Sequence, residues 1–428
     1  MLFSNQWLPR IGVYIQALHN RFAINTLFRQ GIDKRVWVTL LVTFTHSCFG
    51  ATDFDGSVEL EQRYFFENDP QGLSQGQTSV RLEFEAYADW NNGDDQLLFE
   101  PLIRIDSEDD ERTHADIRQL IYTHSGENYE FAAGIGRVFW GVVESQQLVD
   151  IVNQTDGVEN IDGEDKLGQP LLRYSYFSDY GTVDAFVLPY FRTRTFTGAE
   201  GRLNGGIIVD NDNEIYQSSS GQSNVDFALR YANTFGDWDL GLSWFNGTSR
   251  EADLLSQLDF STGQTTPFYA QIDQFGADVQ LTTGSWLVKL EAIQRNHRNN
   301  ILEDFSSATT GFEYTFVGIF GSVYDLGVLS EYSWDERGEA ATTIFQNDLF
   351  FGARLALNDV SDTSILFGIV SDLDNSDSRT IFVEAATRIG TKVTANIELR
   401  IFESDTPTDP VFLLSDQSFV QIGLEYFF

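Results

Sequence analysis

Charged residues recur at every second position through long stretches of this chain, with apolar residues between them. In residues 80–90, Arg81, Glu83, Glu85 and Asp89 alternate with mostly apolar side chains. Because side chains alternate between the two faces of a β-strand, such a segment has one apolar face and one charged face. A row of charges facing one way is costly in a dry core but is readily solvated in a water-filled lumen. The pattern therefore favours a channel over a soluble β-sandwich.

About eighteen segments of this kind follow one another after residue 50, with sixteen as the alternative count. Tight connections such as Asn91-Asn92-Gly93 alternate with long ones such as 139–169 and 195–223. This order is typical of a membrane barrel with short periplasmic turns and long outer loops. The predicted fold class is all-β, a closed antiparallel transmembrane β-barrel that forms a single domain over residues 51–428.

The last strand carries apolar residues at every second position and ends on an aromatic residue. These positions are Val420, Ile422, Leu424, Tyr426 and Phe428. The strand resembles the closing strand of bacterial outer-membrane β-barrels, in which such a pattern is the membrane-insertion signal. The resemblance to porins of this class implies the outer membrane of a Gram-negative bacterium as the location. It also implies membrane lipid and the barrel-assembly machinery as partners, and a homotrimer as the assembly.

The segment before the barrel has the pattern of an export signal. Lys34 and Arg35 precede the apolar run 36–44, which is too short to span a bilayer as a helix, and small residues follow up to Gly50. Residues 1–50 are therefore predicted to be an export signal region that is cleaved after Gly50. A downstream translation start is an alternative, and it would make residues 1–30 spurious.

The charge balance excludes one class of partner. The chain has 27 Lys and Arg against 64 Asp and Glu, a net charge of −37. Such a surface repels nucleic acid.

The aromatic content fits the predicted fold, because 36 Phe, 16 Tyr and 8 Trp suit the aromatic girdles of a membrane barrel.

The histidines after residue 50 do not indicate an enzyme. They are His114, His124 and His297, and the first two lie near opposite ends of one predicted strand. Nucleophilic or general-base catalysis needs two side chains within hydrogen-bond reach, and no local motif provides such a pair. The chain is therefore predicted not to be an enzyme.

The connection 139–169 follows the fifth predicted strand, and its Val142–Val152 segment predicts about three helical turns. General porins fold the loop at this position into the barrel, so the resemblance predicts that this loop narrows the pore. An outer lid is the alternative. If the loop inserts, seven acidic side chains lie in the lumen: Glu144, Asp150, Asp156, Glu159, Asp162, Glu164 and Asp165.

Arginines on the polar faces of the predicted strands would form a basic wall opposite these acids. They are Arg81, Arg104, Arg118, Arg173, Arg192 and Arg230. Opposed acidic and basic walls would produce a transverse field, as in general porins, whereas pairwise neutralisation is the alternative. Acidic clusters at Asp156–Asp165, Asp210–Glu214 and Asp372–Asp377 have oxygen ligands suited to calcium, with solvated loop charge as the alternative. No other cofactor or metal is predicted.

The predicted function is a porin that forms a water-filled channel for passive diffusion of small hydrophilic solutes or ions. Acids outnumber bases on the polar strand faces and in the loops, which predicts a preference for cations. One alternative is a substrate-specific channel for a sugar or an organic acid. A second is a non-conducting barrel that acts as a receptor or adhesin.

Overall fold

The computed structural model describes residues 51–299 and 301–428, and the predicted export region 1–50 lies outside them. The described residues form one antiparallel sheet of eighteen strands. Each strand pairs with the next along the chain, and the last pairs with the first, so the sheet closes on itself. The predicted closed barrel is confirmed, with eighteen strands rather than sixteen. Among the described residues, no helix has the length and apolar character needed to cross a membrane.

The barrel strands are numbered here in chain order. They are β1 Ala51–Phe65, β2 Gly76–Trp90, β3 Asp95–Asp106, β4 His114–Ser125, β5 Tyr129–Gly136, β6 Gln169–Ser178, β7 Gly181–Leu188, β8 Asp226–Phe235, β9 Trp238–Thr248, β10 Gln271–Thr283, β11 Trp286–His297, β12 Phe305–Phe316, β13 Asp325–Asp335, β14 Asn347–Ala356, β15 Ser364–Asp372, β16 Arg379–Ile389, β17 Val393–Glu403 and β18 Phe419–Phe427.

The connections after odd-numbered strands are named L1 to L9 and form the loop rim. They are L1 66–75, L2 107–113, L3 137–168, L4 189–225, L5 249–270, L6 298–304, L7 336–346, L8 373–378 and L9 404–418. The connections after even-numbered strands form the opposite, turn rim. Short 3₁₀ segments occur at Asn91–Gly93, Arg202–Asn204, Gly221–Ser223, Ile319–Gly321, Gly338–Ala340 and Pro410–Leu414. Two pairs of two-residue parallel strands join L4 to L5, Ile208–Val209 with Gln264–Thr265 and Ile215–Tyr216 with Phe268–Tyr269.

The barrel wall is apolar outside and polar inside, the reverse of a soluble protein. On β1, Leu60 is 51% exposed whereas the inward-facing Glu61 and Arg63 are only 4% and 2% exposed. Its neighbour β18 repeats the pattern, with Ile422 and Leu424 exposed outward and Gln421 buried inward. An outward apolar band of this kind matches the lipid-facing surface of a membrane barrel.

Aromatic side chains pair along the turn rim. Trp90 stacks on Tyr122, and Tyr129 stacks on Tyr174, with ring centroids 6.0 Å apart in both pairs. At the end of the chain, Tyr426 stacks on Phe428 at 6.2 Å. Rings at this level suit the interface between hydrocarbon and headgroups, where one ring edge stays wet.

A bulge in the β3–β4 ladder sets which β4 side chains enter the lumen. Pro101 pairs with Ile117 and Glu100 pairs with Gln119, so Arg118 is an extra residue. The alternation changes at this point, because Arg118 is 4% exposed and Leu120, two residues on, is 39% exposed. The bulge therefore directs Arg118 inward and Leu120 towards the outside.

Candidate pore constriction

L3 folds into the barrel and packs one side against the inner wall. Trp140, Val149, Ile151 and Val152 of L3 join a buried cluster with apolar side chains from β6 to β12. Trp140 meets Phe186 of β7 edge-on, with centroids 5.7 Å apart. The segment 142–152 contains no helix, so the predicted helical turns are wrong. Its apolar residues pack against the wall without helical periodicity. The backbone amides donate to side chains of the wall rather than to carbonyl oxygens of a helix.

Two carboxylates of the wall hold the backbone of L3. Glu291 of β11 accepts hydrogen bonds from the amides of Val142, Val143 and Val149 at 2.6, 3.1 and 3.1 Å. Glu331 of β13 accepts from the amides of residues 144 and 145 at 2.9 and 2.8 Å. These bonds satisfy backbone donors that would otherwise be unpaired within the protein.

On the opposite side of the lumen, L3 meets a group of arginines. Arg104 of β3 donates to both oxygens of Glu159, from Nε at 3.0 Å and from Nη2 at 2.8 Å. Arg118 of β4 lies 2.6 Å from Asp156. Arg112 of L2 donates to the carbonyl oxygens of residues 158 and 159. L3 is thus tied to β3 and β4 by buried, charge-assisted bonds.

The environment of these two acids keeps them ionised. Burial alone would raise the pKa of Asp156, but the His114 imidazole 3.5 Å away and the charge of Arg118 hold it well below its usual range. Burial likewise opposes ionisation of Glu159, and the Arg104 guanidinium outweighs it and lowers the pKa. The acids and bases on this wall therefore neutralise one another in a shared network, in which Arg104 also meets Glu61 and Arg118 also meets Asp116.

The other arginines of the predicted basic wall differ in their surroundings. Arg81 lies 3.8 Å from Glu159. The guanidinium of Arg230 lies 5.3 Å from the Trp140 ring centroid and pairs with Asp278. Arg173 pairs with Glu130 of β5, and no hydrogen bond or salt bridge among the described residues joins it to L3.

Arg192 does not lie on a strand, contrary to the sequence prediction. It belongs to L4, because β7 ends at Leu188. Pro189 follows directly and has no amide hydrogen for the ladder, which explains the early end. Arg192 nevertheless reaches L3, since it donates to the carbonyl oxygen of Gly168 at 2.9 Å and to Asp116 at 2.8 Å.

Two L3 acids reach towards the remaining part of the wall. Glu144 pairs with Arg354 of β14 and lies 3.5 Å from the Lys289 ammonium of β11. Asp162 lies 3.3 Å from Arg400 of β17. L3 therefore contacts the wall at β3–β4, at β11–β14 and at β17, and it crosses the lumen between them.

The three remaining acids of L3, Asp150, Glu164 and Asp165, have the least compensation of their charge by basic side chains. Burial raises the pKa of Asp150 to about 6, although Lys166 lies 3.6 Å away. Enclosure by the protein and the neighbouring carboxylates of Asp162 and Glu384 raise the pKa of Glu164 to about 7. Burial and the Glu159 carboxylate raise the pKa of Asp165 to about 7.

One group in this region has the composition of a metal site. His114, Asp156 and Glu159 each place a ligand atom within 4.8 Å of the others, the only such group of three among the described residues. The Nδ1 atom of His114 donates to the Arg112 carbonyl oxygen at 2.9 Å. Arg118 and Arg104 already neutralise the carboxylates of Asp156 and Glu159, so these two acids need no metal cation to balance their charge.

Sequence reasoning did not identify Glu291, Glu331, Arg112 or Arg400 as partners of L3. All but Arg112 lie at polar positions of alternating strands, which marks them as inward-facing. The alternation does not indicate which loop they meet, because strands far apart in sequence supply the opposite walls of a barrel.

The predicted insertion-signal residues lie on the closing strand. Leu424 pairs with Leu60 and Tyr426 pairs with Val58 across the β1–β18 seam. Val420 pairs with Tyr64, and Ile422, Leu424 and Tyr426 are exposed on the outer face. Phe428 lies against Phe84 of β2, with ring centroids 6.2 Å apart.

No protein-family model and no curated protein matches the chain. Among solved structures, OmpT of Vibrio cholerae, an outer membrane protein in a trimer form, is 13% identical with a TM-score of 0.42, and the match covers 88% of this chain and 99% of that chain. A triple mutant of Rhodopseudomonas blastica porin is 12% identical with a TM-score of 0.42, covering 88% of this chain and 100% of that one. The architecture rests on the strand pairing of the chain itself. That pairing, the polar interior and the apolar outer face are those of a closed all-β transmembrane barrel.

Proposed function

We propose that this protein is an outer-membrane porin that forms a water-filled channel for passive diffusion of small hydrophilic solutes or ions. The observation that carries the proposal is the course of L3, which crosses the lumen and is bound to the wall on several sides. In this proposal, a loop placed in this way narrows the lumen and sets the width of the gap that remains beside it.

The wall beside L3 supports a wet lumen. The inward-facing side chains of Arg354 and Glu384 are both 41% exposed, and that of Glu83 is 40% exposed. Charged groups keep this much accessible surface inside a barrel only where water reaches them. We propose that the gap lies between these wall residues and the L3 acids Glu164 and Asp165.

We propose that the channel prefers cations. The arginines that face L3 most closely, Arg104 and Arg118, are neutralised by Glu159 and Asp156. Glu164 has no such pairing among the salt bridges of the described residues, and the chain as a whole carries a charge of −37. Fixed negative charge at a narrow section concentrates cations there.

Reversal potentials across planar bilayers in a KCl gradient test this function. A cation preference is expected at about 0.1 M salt and a weaker one at about 1 M, because the screening length falls from about 10 Å to about 3 Å. An anion preference at low salt would contradict the charge argument. Absence of any conductance by correctly folded barrels would contradict the channel, in favour of a receptor or adhesin role.

The solute and the assembly belong to the same proposal. A liposome-swelling panel of neutral sugars and organic acids distinguishes size-limited diffusion from a specific channel, since only the rate of transport through a specific channel saturates with solute concentration.

We also propose a homotrimer in the outer membrane, assembled by the barrel-assembly machinery, on the basis of the resemblance of the closing strand. The mass of the protein in detergent checks the assembly.

A further inference from the structure

Three buried aspartates line one cavity at the loop rim, away from L3, with carboxylate oxygens that do not all lie within 4.8 Å of one another. Asp348 is the second residue of β14, Asp372 is the last residue of β15 and Asp409 belongs to L9. They are 3%, 7% and 5% exposed. Asp348 and Asp372 are direct cross-strand partners. The Asp409 carboxylate lies within hydrogen-bond reach of Asp372. All three line one small cavity of about 10 Å³, which is about the size that accommodates a single water molecule.

These carboxylates have no basic partner. No salt bridge within residues 51–299 and 301–428 joins any of them to Lys, Arg or His. Arg379 also lines the cavity, but it is half exposed and pairs with Glu403. Burial and the adjacent Asp372 carboxylate raise the pKa of Asp409. Like charges held together out of water are destabilising unless a cation or a proton compensates them.

Two neutral side chains present unpaired oxygen atoms at the same place. Gln346, 3% exposed, donates from Nε2 to Asp372 at 3.2 Å, which leaves its Oε1 without a hydrogen-bond partner. Thr380, 6% exposed, has an Oγ1 atom without a partner. Both residues line the cavity. Buried polar atoms of this kind normally have a partner, so both oxygens are available to bind a cation or a water molecule in the cavity.

We propose that this cavity is a calcium site formed by Asp348, Asp372, Asp409, Gln346 and Thr380. All five side chains offer oxygen, the donor that Ca²⁺ takes in irregular sites of six to eight ligands. A divalent cation would draw the three carboxylates closer together, compensate their charge and satisfy both unpaired oxygens. Of the acidic clusters predicted from the sequence, only the one that begins at Asp372 contributes a ligand.

The site would join three loops. Gln346 is the last residue of L7, Asp372 and Thr380 flank L8, and Asp409 lies in L9. Asp409 also caps the 3₁₀ segment Pro410–Leu414 by accepting from the Val411 amide at 2.7 Å. Val411 packs in a buried cluster with Phe65, Phe402 and Phe419. Bound calcium would thereby fasten L9 to the barrel at the loop rim.

Calcium titration of the folded, detergent-solubilised barrel tests the site, after stripping with EGTA. The double variant Asp348→Asn and Asp409→Asn is expected to bind one Ca²⁺ fewer per chain than the wild type. The variant Asp405→Asn is the control, because it makes the same kind of substitution, Asp to Asn, at an exposed position of L9. It is expected to keep the wild-type stoichiometry.

Thermal unfolding supplies a second readout. In EGTA, the double variant should unfold at a higher temperature than the wild type, because it lacks the uncompensated charges. Calcium at millimolar concentration should raise the unfolding temperature of the wild type and of Asp405→Asn but leave the double variant unchanged. Equal stoichiometry in all three proteins, or no calcium effect on the wild type, would overturn the site and favour a proton shared by Asp372 and Asp409.

Discussion

At the residue scale, the acids of L3 differ in how far basic side chains compensate their negative charge. Asp156 and Glu159 are nearly fully buried and meet Arg118 and Arg104 directly. Removing one partner of such a pair leaves an uncompensated buried charge, which costs about 3–5 kcal/mol. These pairs therefore act as fastenings of L3. Glu164 and Asp165 instead have raised pKa values and supply charge that changes with pH.

The raised pKa values predict that ion selectivity depends on pH. Glu164 and Asp165 both titrate at about 7, so they are mostly ionised at pH 8.5 and mostly neutral at pH 5.5. Loss of negative charge beside the gap should weaken the cation preference on acidification. Reversal potentials measured at the two pH values check this expectation.

The double variant Glu164→Gln and Asp165→Asn should show a much smaller change between the two pH values. The matched control replaces two exposed loop carboxylates, Asp110→Asn and Glu339→Gln, and should keep the wild-type pH response. An identical response in all three proteins would show that other groups govern selectivity.

At the element scale, L3 is held by three different kinds of contact. An apolar cluster packs it on β6 to β12, Glu291 and Glu331 bind its amides, and arginines of β3 and β4 bind its carboxylates. L5 adds a fourth, since Arg250 donates to the Val152 carbonyl oxygen at 3.0 Å. A loop bound on so many sides is expected to stay in place inside the barrel.

Deleting residues 144–165 should raise single-channel conductance several-fold, because the narrowest section dominates the resistance of a pore. Single-channel recording in planar bilayers measures it. A deletion of 210–214, an acidic segment of L4, serves as the control and should leave conductance close to that of the wild type. Unchanged conductance in a correctly folded 144–165 deletion would contradict the constriction role.

At the scale of the whole molecule, the barrel combines a closed hydrogen-bond ladder with an apolar outer face. Closure through the β1–β18 seam leaves no sheet edge unpaired, which hydrocarbon could not satisfy. The outward side chains of β11 illustrate the band, since Trp286, Val288 and Leu290 are all exposed on one face. Such a surface is stable in contact with lipid rather than water.

The substitution Leu290→Arg should destabilise the barrel in lipid vesicles by about 2–4 kcal/mol, the cost of a cation near the bilayer midplane. Urea titration of the refolded protein in vesicles gives the free energy of unfolding. The control Thr262→Arg places the same charge at an exposed position of L5 and should change that free energy little. Equal effects of the two substitutions would contradict the assignment of β11 to the bilayer.

Strand alternation, turn residues and the closing strand are local properties, and they suffice to determine the class of fold and the face of each strand. Glu61 and Leu60 could thus be assigned to the inside and outside of β1 from their neighbours alone. The same holds for the position of L3 after the fifth strand, although its insertion was inferred from resemblance.

Only the tertiary structure decided which groups meet inside the barrel. Glu291 reaches Val142, and Asp348 and Asp372 share a cavity with Asp409, because closure brings together segments distant in the chain. The proline that ends β7 likewise changed the predicted surroundings of Arg192. The sequence by itself therefore determined the strands of the barrel and their inward and outward faces, because these follow from short-range periodicity. Its constriction and its proposed calcium site depend on long-range contacts that no local pattern records.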